Sequence, residues 1–357
     1  MALSDYEQRQ LQKLLEHKER ELSRSPRQVV PDTVREKGSE LFDRAMQNRA
    51  AARARDTGAL ALKAAAQGAG KFMTRTAQLT TSSKRVVRAY AKRGHLVESL
   101  DDIRRLDLRA IDGVASFTRL HYGYSLTAAA EGAATGLAMT GGQAAVAFGG
   151  VAGAGAGAAP GLGTIAAAMS ADMGAMLGVC SRVIAHDALY YGYDPRDPAE
   201  EVFMMQVIAL ALAPTAASKV VAYQQLAKLT RSLAVNAAWR QLNEQTLVKI
   251  AQKFAAGFSQ KLTKKKLGQF VPLAGVGIGA FVNWKMVDDV ADAAYWAYRE
   301  RFLYEKGAEI GPITIDVEVD QSTTSEGDGP IDVIEILESE GVSLDDDPSA
   351  SQDDAIE

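Results

Sequence analysis

The dipeptide His186-Asp187 has the residue types of a proton-transfer pair, a base beside a carboxylate that would orient it. It lies inside the apolar run "CSRVIAHDALYY", where a packed, hydrogen-bonded histidine is the competing reading. No catalytic residue is assigned, and His186 and Asp187 are kept as the candidates. Directly after them comes "YYGYDPRDPAEE", residues 190–201, which gathers tyrosines, carboxylates and an arginine into twelve positions. Such a loop could hold a ligand, but helix-cap chemistry accounts for nearly all of it. Gly192 suits the left-handed residue that ends a helix. Pro195 pushes Asp194 out of helical geometry. Asp197 fits an N-cap, Pro198 the first helical position, and Glu200 the third residue of a capping box. Tyr191, Gly192, Tyr193, Asp194, Pro195, Arg196, Asp197 and Pro198 therefore read as a structural corner between two helices.

Other chemistry fails on spacing. His17, His95, His121 and His186 are far apart in the chain, no H-E-x-x-H occurs, and Cys180 is the single cysteine. Neither a metal site nor a disulfide framework follows, and no cofactor is expected. "GAGKF" at 68–72 lacks the first glycine and the Ser/Thr of a phosphate loop. "GAGAGAAPGLG" and "GVGIGAF" follow no strand pattern, which dinucleotide binding needs. Asp288, Asp289 and Asp292 share neighbouring faces of one helix and read as partners for Lys285 or Arg299.

These residues must be positioned by helices. Ala and Gly supply much of the apolar content, and Ala favours helix over strand. The spacing predicts helices over about 4–23, 32–54 and 60–79, then one starting at "TTSSKRVV" and ending at Gly94. The first has Ser4 as cap with Glu7 behind it and a stripe of Leu11, Leu14, Leu15 and Leu22. Leu100, Ile103, Leu106, Leu108 and Ile111 give a further partial helical pattern. After the corner come two apolar helices broken at Pro214, an amphipathic helix, and a last helix over about 283–304 with Val287, Val290, Ala294, Tyr298 and Phe302 toward the core. "AEIGPITIDVEVD" reads as a short strand or extended arm.

Between Glu131 and Asp172 lie 40 uncharged residues, 11 of them Gly and 15 Ala. Glycines recur at spacing four: Gly132/Gly136, Gly149/Gly153/Gly157/Gly161, Gly174/Gly178 and later Gly275/Gly279. That places them on one helical face and allows close backbone approach, as in a glycine zipper. A helical hairpin is expected, bending near Gly149-Gly150 or Pro160-Gly161. Its low content of large aliphatic residues argues against a standing membrane span. Reversible insertion, surface docking and a close-packed soluble hairpin all stay open.

Three segments carry a resemblance: "RGHLVESLDDIRRLDL", "YYGYDPRDPAEEVFMMQVIALA" and "KLGQFVPLAGVGIGAFVNWKMVDDVADAAYWAYRERFL". In that order they resemble the EcsC protein family, over about residues 4–306, and the polar start resembles actinobacterial members. The resemblance implies a helical fold and membrane-associated work, and it brings no catalytic residue with it. The expected organisation is an N-terminal polar helix and linker at 1–31, a helical domain at 32–306 and a mostly disordered acidic tail at 307–357. The expected fold class is all-α, a compact multi-helix bundle built around the Gly/Ala-rich hairpin.

Charge is divided along the chain. The net charge is −4, yet the tail from Gly307 holds 16 acids and no Lys or Arg, which leaves +12 on the body. Basic clusters stand at Lys84, Arg85 and Arg88 and at Lys264, Lys265 and Lys266. A basic body of this kind suits anionic membrane lipid. No nucleic-acid motif accompanies the charge, and no nucleic-acid partner is expected. The N-terminus lacks the apolar core of a signal peptide, which places the expected site of action at the cytoplasmic face of the inner membrane, peripheral or reversibly inserted. The leading reading is a non-enzymatic, membrane-associated protein, able to self-associate and accessory to transport or export, with the acidic tail meeting a transporter or secretion partner. The alternatives are a soluble scaffold or partner-binding subunit of an export system, and a hydrolase-like enzyme using the 190–197 corner. Within the tail, "PIDVIEILESEGV" at 330–342 is an apolar island with the form of a docking motif.

Overall fold

The computed structural model describes residues 3–23, 82–152, 158–235, 242–266, 275–308, 329–342 and 344, with side chains at 135–171, 234–235, 263–266 and 275–278 left aside. Among the described residues the chain is all-helical. The elements are α1 (Asp5–Ser23), α2 (Ser83–Lys92), α3 (Leu100–Arg105), α4 (Leu108–Val114), α5 (Phe117–Ala152), α6 (Ala158–Tyr190), α7 (Pro198–Leu212), α8 (Ala216–Val235), α9 (Glu244–Lys266), α10 (Gly275–Glu305) and α11 (Val333–Ser339). The expected helices at 32–54 and 60–79, the "GAGKF" segment and the arm at 309–320 lie outside the described residues.

Three long helices form the centre. α5 packs most extensively on α10 and α6. It runs antiparallel to both, since Tyr122 meets Trp284 while Phe117 meets Tyr295, and Tyr124 meets His186 while His121 meets Asp187. Small residues allow the approach. A Cβ placed on Gly132 would stand 2.2 Å from the Gly279 carbonyl oxygen, so these two helices touch backbone to backbone. Here the four-spaced glycines of two separate runs meet each other. The pair expected on α6 does not behave as one packing face. Gly178 is buried, but Gly174, one turn earlier, is only half-buried and, among the described residues, has open space where its Cβ would be. The surroundings of Gly136, Gly149, Gly153, Gly157, Gly161 and Gly275 lie outside the described side chains. α5 continues to Ala152 and α6 begins at Ala158, so the helices part between the two expected bends.

Beneath this trio lies α7, apolar on every side, with 13 of its 15 residues buried. A helix without a polar face must be covered all round, and α6, α8, α9, α10 and α11 cover it. The break before α8 is held by Thr215 and Ser218, each hydroxyl accepting from the other's backbone N–H at 3.1 and 3.0 Å. The pattern over 100–111 splits at Leu106-Asp107 into α3 and α4. Ser99 caps the first in a full capping box with Asp102, and Asp107 caps the second.

α1 starts at the expected capping box: the Ser4 N–H donates to Glu7 at 3.0 Å and the Glu7 N–H to Ser4 Oγ at 3.2 Å. Its buried face differs from the leucine stripe. Glu7, Gln10, Leu14, Lys18 and Leu22 are buried, whereas Leu15 is 48% exposed. Residues spaced three or four apart share one face, and here polar residues occupy it because their partners are buried charges of α10.

Beyond Ala308, the described residues of the acidic tail are those around the apolar island expected to have the form of a docking motif. That island folds back onto the body: α11 packs on α9 and α7, with Ile331, Val333, Leu337 and Val342 buried in the common core. Glu335, Glu338 and Ser339 give the short helix its polar side, and its narrow apolar face finds a groove in its own chain.

Candidate functional site

The corner is built by two helix ends. α6 closes in a Schellman motif, with the Tyr193 N–H donating to the Ala188 carbonyl at 2.9 Å and the Gly192 N–H to Leu189 at 3.1 Å. Gly192 has φ +87, and a Cβ there would meet the Leu100 carbonyl oxygen at 2.6 Å, so glycine is required twice over. Asp194 accepts from the backbone N–H of Arg196 at 3.0 Å and takes its guanidinium through Nε and Nη2 at 2.9 and 2.6 Å. Burial pushes the Asp194 carboxyl up, but these donors outweigh it and hold the group below its ordinary range. Arg196 thus has a structural partner. Asp197 caps α7 by accepting from the Ala199 N–H at 3.0 Å, with Pro198 opening the helix.

The capping box expected at Asp197 and Glu200 does not form. Glu200 is buried and turned away, accepting from the Tyr298 hydroxyl at 2.5 Å and from Arg301 Nη1 at 2.7 Å. The sequence signal was correct for the cap, but the stronger demand came from a buried guanidinium that requires a counter-charge.

Arg301 belongs to a hub. Arg299, Glu300 and Arg301 are consecutive on α10, and all three are buried. Between them they reach α1, α4 and α7. Arg299 donates to Gln10 at 2.8 Å and pairs with Asp112, Glu300 takes Lys18 at 2.5 Å, and Arg301 joins Glu200 and Glu305. Lys306 continues the series to Glu7 at 2.7 Å. Charges removed from water are tolerated only when paired and hydrogen-bonded. Aromatic faces complete the shell: Arg301 lies 3.9 Å over the Tyr193 ring, and Tyr191 stacks on Phe117 and Tyr298 at 5.5 and 6.1 Å. The hydroxyls of Tyr191 and Tyr193 are buried and find no hydrogen-bond partner among the described residues.

Outside the corner opens a cleft of about 940 Å³, with Lys84 and Arg88 of α2 on one wall and Arg104, Tyr193 and Arg196 on the other. Most charges lining it are spent on each other, as Arg104 with Asp101 and Arg196 with Asp194. Lys84 and Arg88 are exposed and make no ion pair among the described residues. No histidine or cysteine is among the described lining residues. The cleft can therefore accept an anionic group; its Ser99 hydroxyl is engaged by Asp102 at 2.8 Å as part of the α3 cap.

His186 and Asp187 are not among the cleft's lining residues, and both reach α5, each with a different partner. His186 Nδ1 sits 2.6 Å from the Tyr124 hydroxyl, and burial, with Arg85 adding to it, lowers its pKa to about 4. The neutral ring and the Tyr124 hydroxyl share this hydrogen bond. Asp187 is fully buried and lies 3.0 Å from His121 Nε2 through both oxygens. Burial lowers the His121 pKa, but Asp187 more than restores it and the net direction is upward. His121 is thus the true neighbour of Asp187, and nothing in the spacing of 66 residues announced it. Cys180 is buried. Asp288 and Asp289 pair with Lys285, as their spacing expects, while Arg299 goes to Asp112. Among the described residues no group of acidic, histidine or cysteine side chains is arranged to hold a metal ion.

The basic residues of α2 are displayed outward. Val86 and Tyr90 anchor it in the core, the Tyr90 hydroxyl donating to the Tyr190 carbonyl at 2.7 Å, and Lys84, Arg85, Arg88, Lys92 and Arg93 are exposed. Just past its end Leu96 is 98% exposed. Lys264, Lys265 and Lys266 close α9, and their side chains lie outside the described set.

The model of the EcsC protein family matches residues 3–303, which takes in α1 through nearly all of α10 and leaves out α11. A protein of Bacillus subtilis (strain 168), the uncharacterized protein YdbA, is 26% identical over 241 residues, covering 66% of this chain and 75% of that one. No solved structure matches the chain. The corner, the hub of α10 and the helix α1 that closes over it all fall inside the matched span, and the chain belongs to the EcsC protein family.

Proposed function

We propose that this chain is a non-enzymatic, peripheral membrane-docking protein that meets anionic lipid through α2. The carrying observation is the combination of four exposed cations on α2, a fifth, Arg93, at its C-terminal cap and, beside them, a leucine in full contact with water. Each Lys or Arg near an anionic surface is worth about 1 kcal/mol, and an apolar side chain entering the interface adds to that. Lys84 and Arg88 also face the corner cleft, which gives a headgroup phosphate a place between cations that have no ion-pair partner among the described residues. A peripheral mode fits the finding that no described helix is long and apolar enough to cross a membrane. The non-enzymatic part rests on the candidate proton-transfer groups being committed to separate buried pairs. A role as accessory to transport or export is part of the same reading.

Vesicle flotation tests it. The protein is expected to float with anionic vesicles at low salt and to remain in the dense fraction with neutral ones. Charge reversal at Lys84, Arg85 and Arg88 together is expected to cut binding at least tenfold, and Leu96→Asp to weaken what survives a salt wash. No flotation on any vesicle would overturn the proposal.

A second reading, a soluble scaffold, draws on a different surface. Tyr122 and Leu126 of α5 and Phe281 of α10 are each more than half exposed, and Trp284 packs against Tyr122 at 5.3 Å. Such an aromatic patch suits a protein partner or self-association. Protein that ignores all vesicles but sediments as a dimer, with Tyr122→Glu plus Phe281→Glu returning it to monomer, favours this reading.

A further inference from the structure

The segment at 330–342 is bound to the body in the manner of a peptide ligand. Its helix is capped by its own residues: Asp332 accepts from the Glu335 N–H at 2.9 Å, and Gly341, φ +80, ends it with the Val342 N–H donating to Leu337 at 3.0 Å. Ile331, Val333, Leu337 and Val342 are the apolar anchors. Ile331 lies over Gly257 of α9, where a Cβ would stand 3.4 Å from its Cγ2, an ordinary contact that a larger side chain would overrun. Polar contacts fix the direction. Lys253 reaches Glu340 at 2.6 Å and Ser339 at 2.8 Å, Lys249 lies 3.7 Å from Glu340, and Lys261 donates to the Gly329 carbonyl.

A seven-residue helix is too short to persist alone in water, where about 12–15 residues are needed. It is helical because it is docked. It is also joined to the body only through residues 309–328, outside the span of the family match. Two anchors one turn apart on the helix, Val333 and Leu337, flanked by Ile331 before it and Val342 after it, an acid at the C-terminal end and a basic receiving helix are features of helix-in-groove recognition.

We infer that the surface formed by α9 and α7 is a docking site for a short acidic amphipathic helix, and that α11 is its resident, exchangeable occupant. The recognised pattern is apolar at the places of Ile331, Val333, Leu337 and Val342, with a carboxylate at the place of Glu340 for Lys253 and Lys249. α11 is covalently part of the same chain, so its docking is intramolecular and a helix arriving from another chain must outcompete it. The docked tail also engages Lys249, Lys253 and Lys261 of α9, which makes it a natural point of control over that basic edge. The inference stands apart from the membrane reading, since its test contains no lipid.

The probe is a fluorescent synthetic peptide of residues 328–344, titrated against the full chain by anisotropy. The wild type is expected to bind it weakly, because α11 fills the site. Leu337→Asp in the full chain, which spoils the resident helix, is expected to tighten binding at least tenfold, and adding Lys253→Glu or Gly257→Trp to remove that gain. Hydrogen exchange on the unaltered chain gives an independent reading: amides of 335–342 should exchange at least a hundredfold faster than those of α9. A Leu337→Asp chain with unchanged helical circular dichroism that binds no peptide overturns the inference. So does binding indifferent to Lys253→Glu and Gly257→Trp, or protection of α11 equal to that of α9.

Discussion

Glu201 shows how strongly a single position can couple this fold to pH. It is buried on the first turn of α7, and its Oε2 has no hydrogen-bond partner among the described residues. Burial, with Asp197 adding to it, raises its pKa to about 8 from an ordinary 4.5. The folded protein therefore keeps the proton through a range in which the unfolded chain has lost it. Stability from this group is complete below about pH 4.5 and is lost as pH rises toward 8. Glu201→Gln is isosteric and does not titrate. Urea unfolding at pH 5, 7 and 9 should show the variant gaining on the wild type as pH rises, by roughly 1–3 kcal/mol, with little further gain above pH 8. Curves that stay parallel would mean that Glu201 is solvated or paired in solution. The sequence signalled an acid at the positive end of a helix, which predicts a comfortable, ionised group. It did not signal that α7 is buried on all sides, and burial reverses the expected direction.

At the scale of elements, cap chemistry made the ends of helices readable. Ser4 and Asp197 cap where their local sequence places them, Ser99 and Asp107 add caps beyond those expected from the sequence, and Gly94 and Gly192 adopt the left-handed conformation that ends α2 and α6. Such signals act within four residues, so one chain carries them in full. What stayed hidden is which faces meet. The glycine spacing indicates close packing somewhere, but it does not say that Gly132 of α5 chooses Gly279 of α10, or that of Gly174 and Gly178 only the second is buried. A pair of substitutions separates the glycines that matter from those that do not. Gly132→Ala forces a methyl group against the α10 backbone, where nothing flexible can yield, and should cost roughly 1–3 kcal/mol. Gly174→Ala points into open space on α6 and should gain up to about 1 kcal/mol from helix propensity. Thermal melts of the two variants should therefore shift in opposite directions. A fall in both would place Gly174 in a packed interface as well.

For the molecule as a whole, the decisive contacts join the two ends of the family span. Lys18 and Glu300 are 282 positions apart, and Glu7 and Lys306 are 299 apart. No periodicity connects residues so distant, and a polar α1 with few leucines reads as a peripheral appendage. In the structure it is the lid of the buried hub, supplying Glu7, Gln10 and Lys18 to Lys306, Arg299 and Glu300, and holding Lys219 of α8 through Glu21. Removing residues 3–23 would take Lys18 from Glu300 and Gln10 from Arg299, open the hub to water and lose the burial of Leu14 and Leu22. Breaking one buried pair costs about 3–5 kcal/mol, so the shortened chain should lose its cooperative melt or melt far lower. Because the loss is of specific counter-charges, it should be reversible in trans. A synthetic peptide of residues 3–23, added in excess, should restore the transition in proportion to its concentration, as any ligand of the native state does. The same peptide with Lys18→Glu should restore much less, since it would bring a like charge to Glu300. A shortened chain that melts like the full one would show that water replaces α1 at the hub without cost, and the lid would then be an accessory of the fold rather than part of its closure.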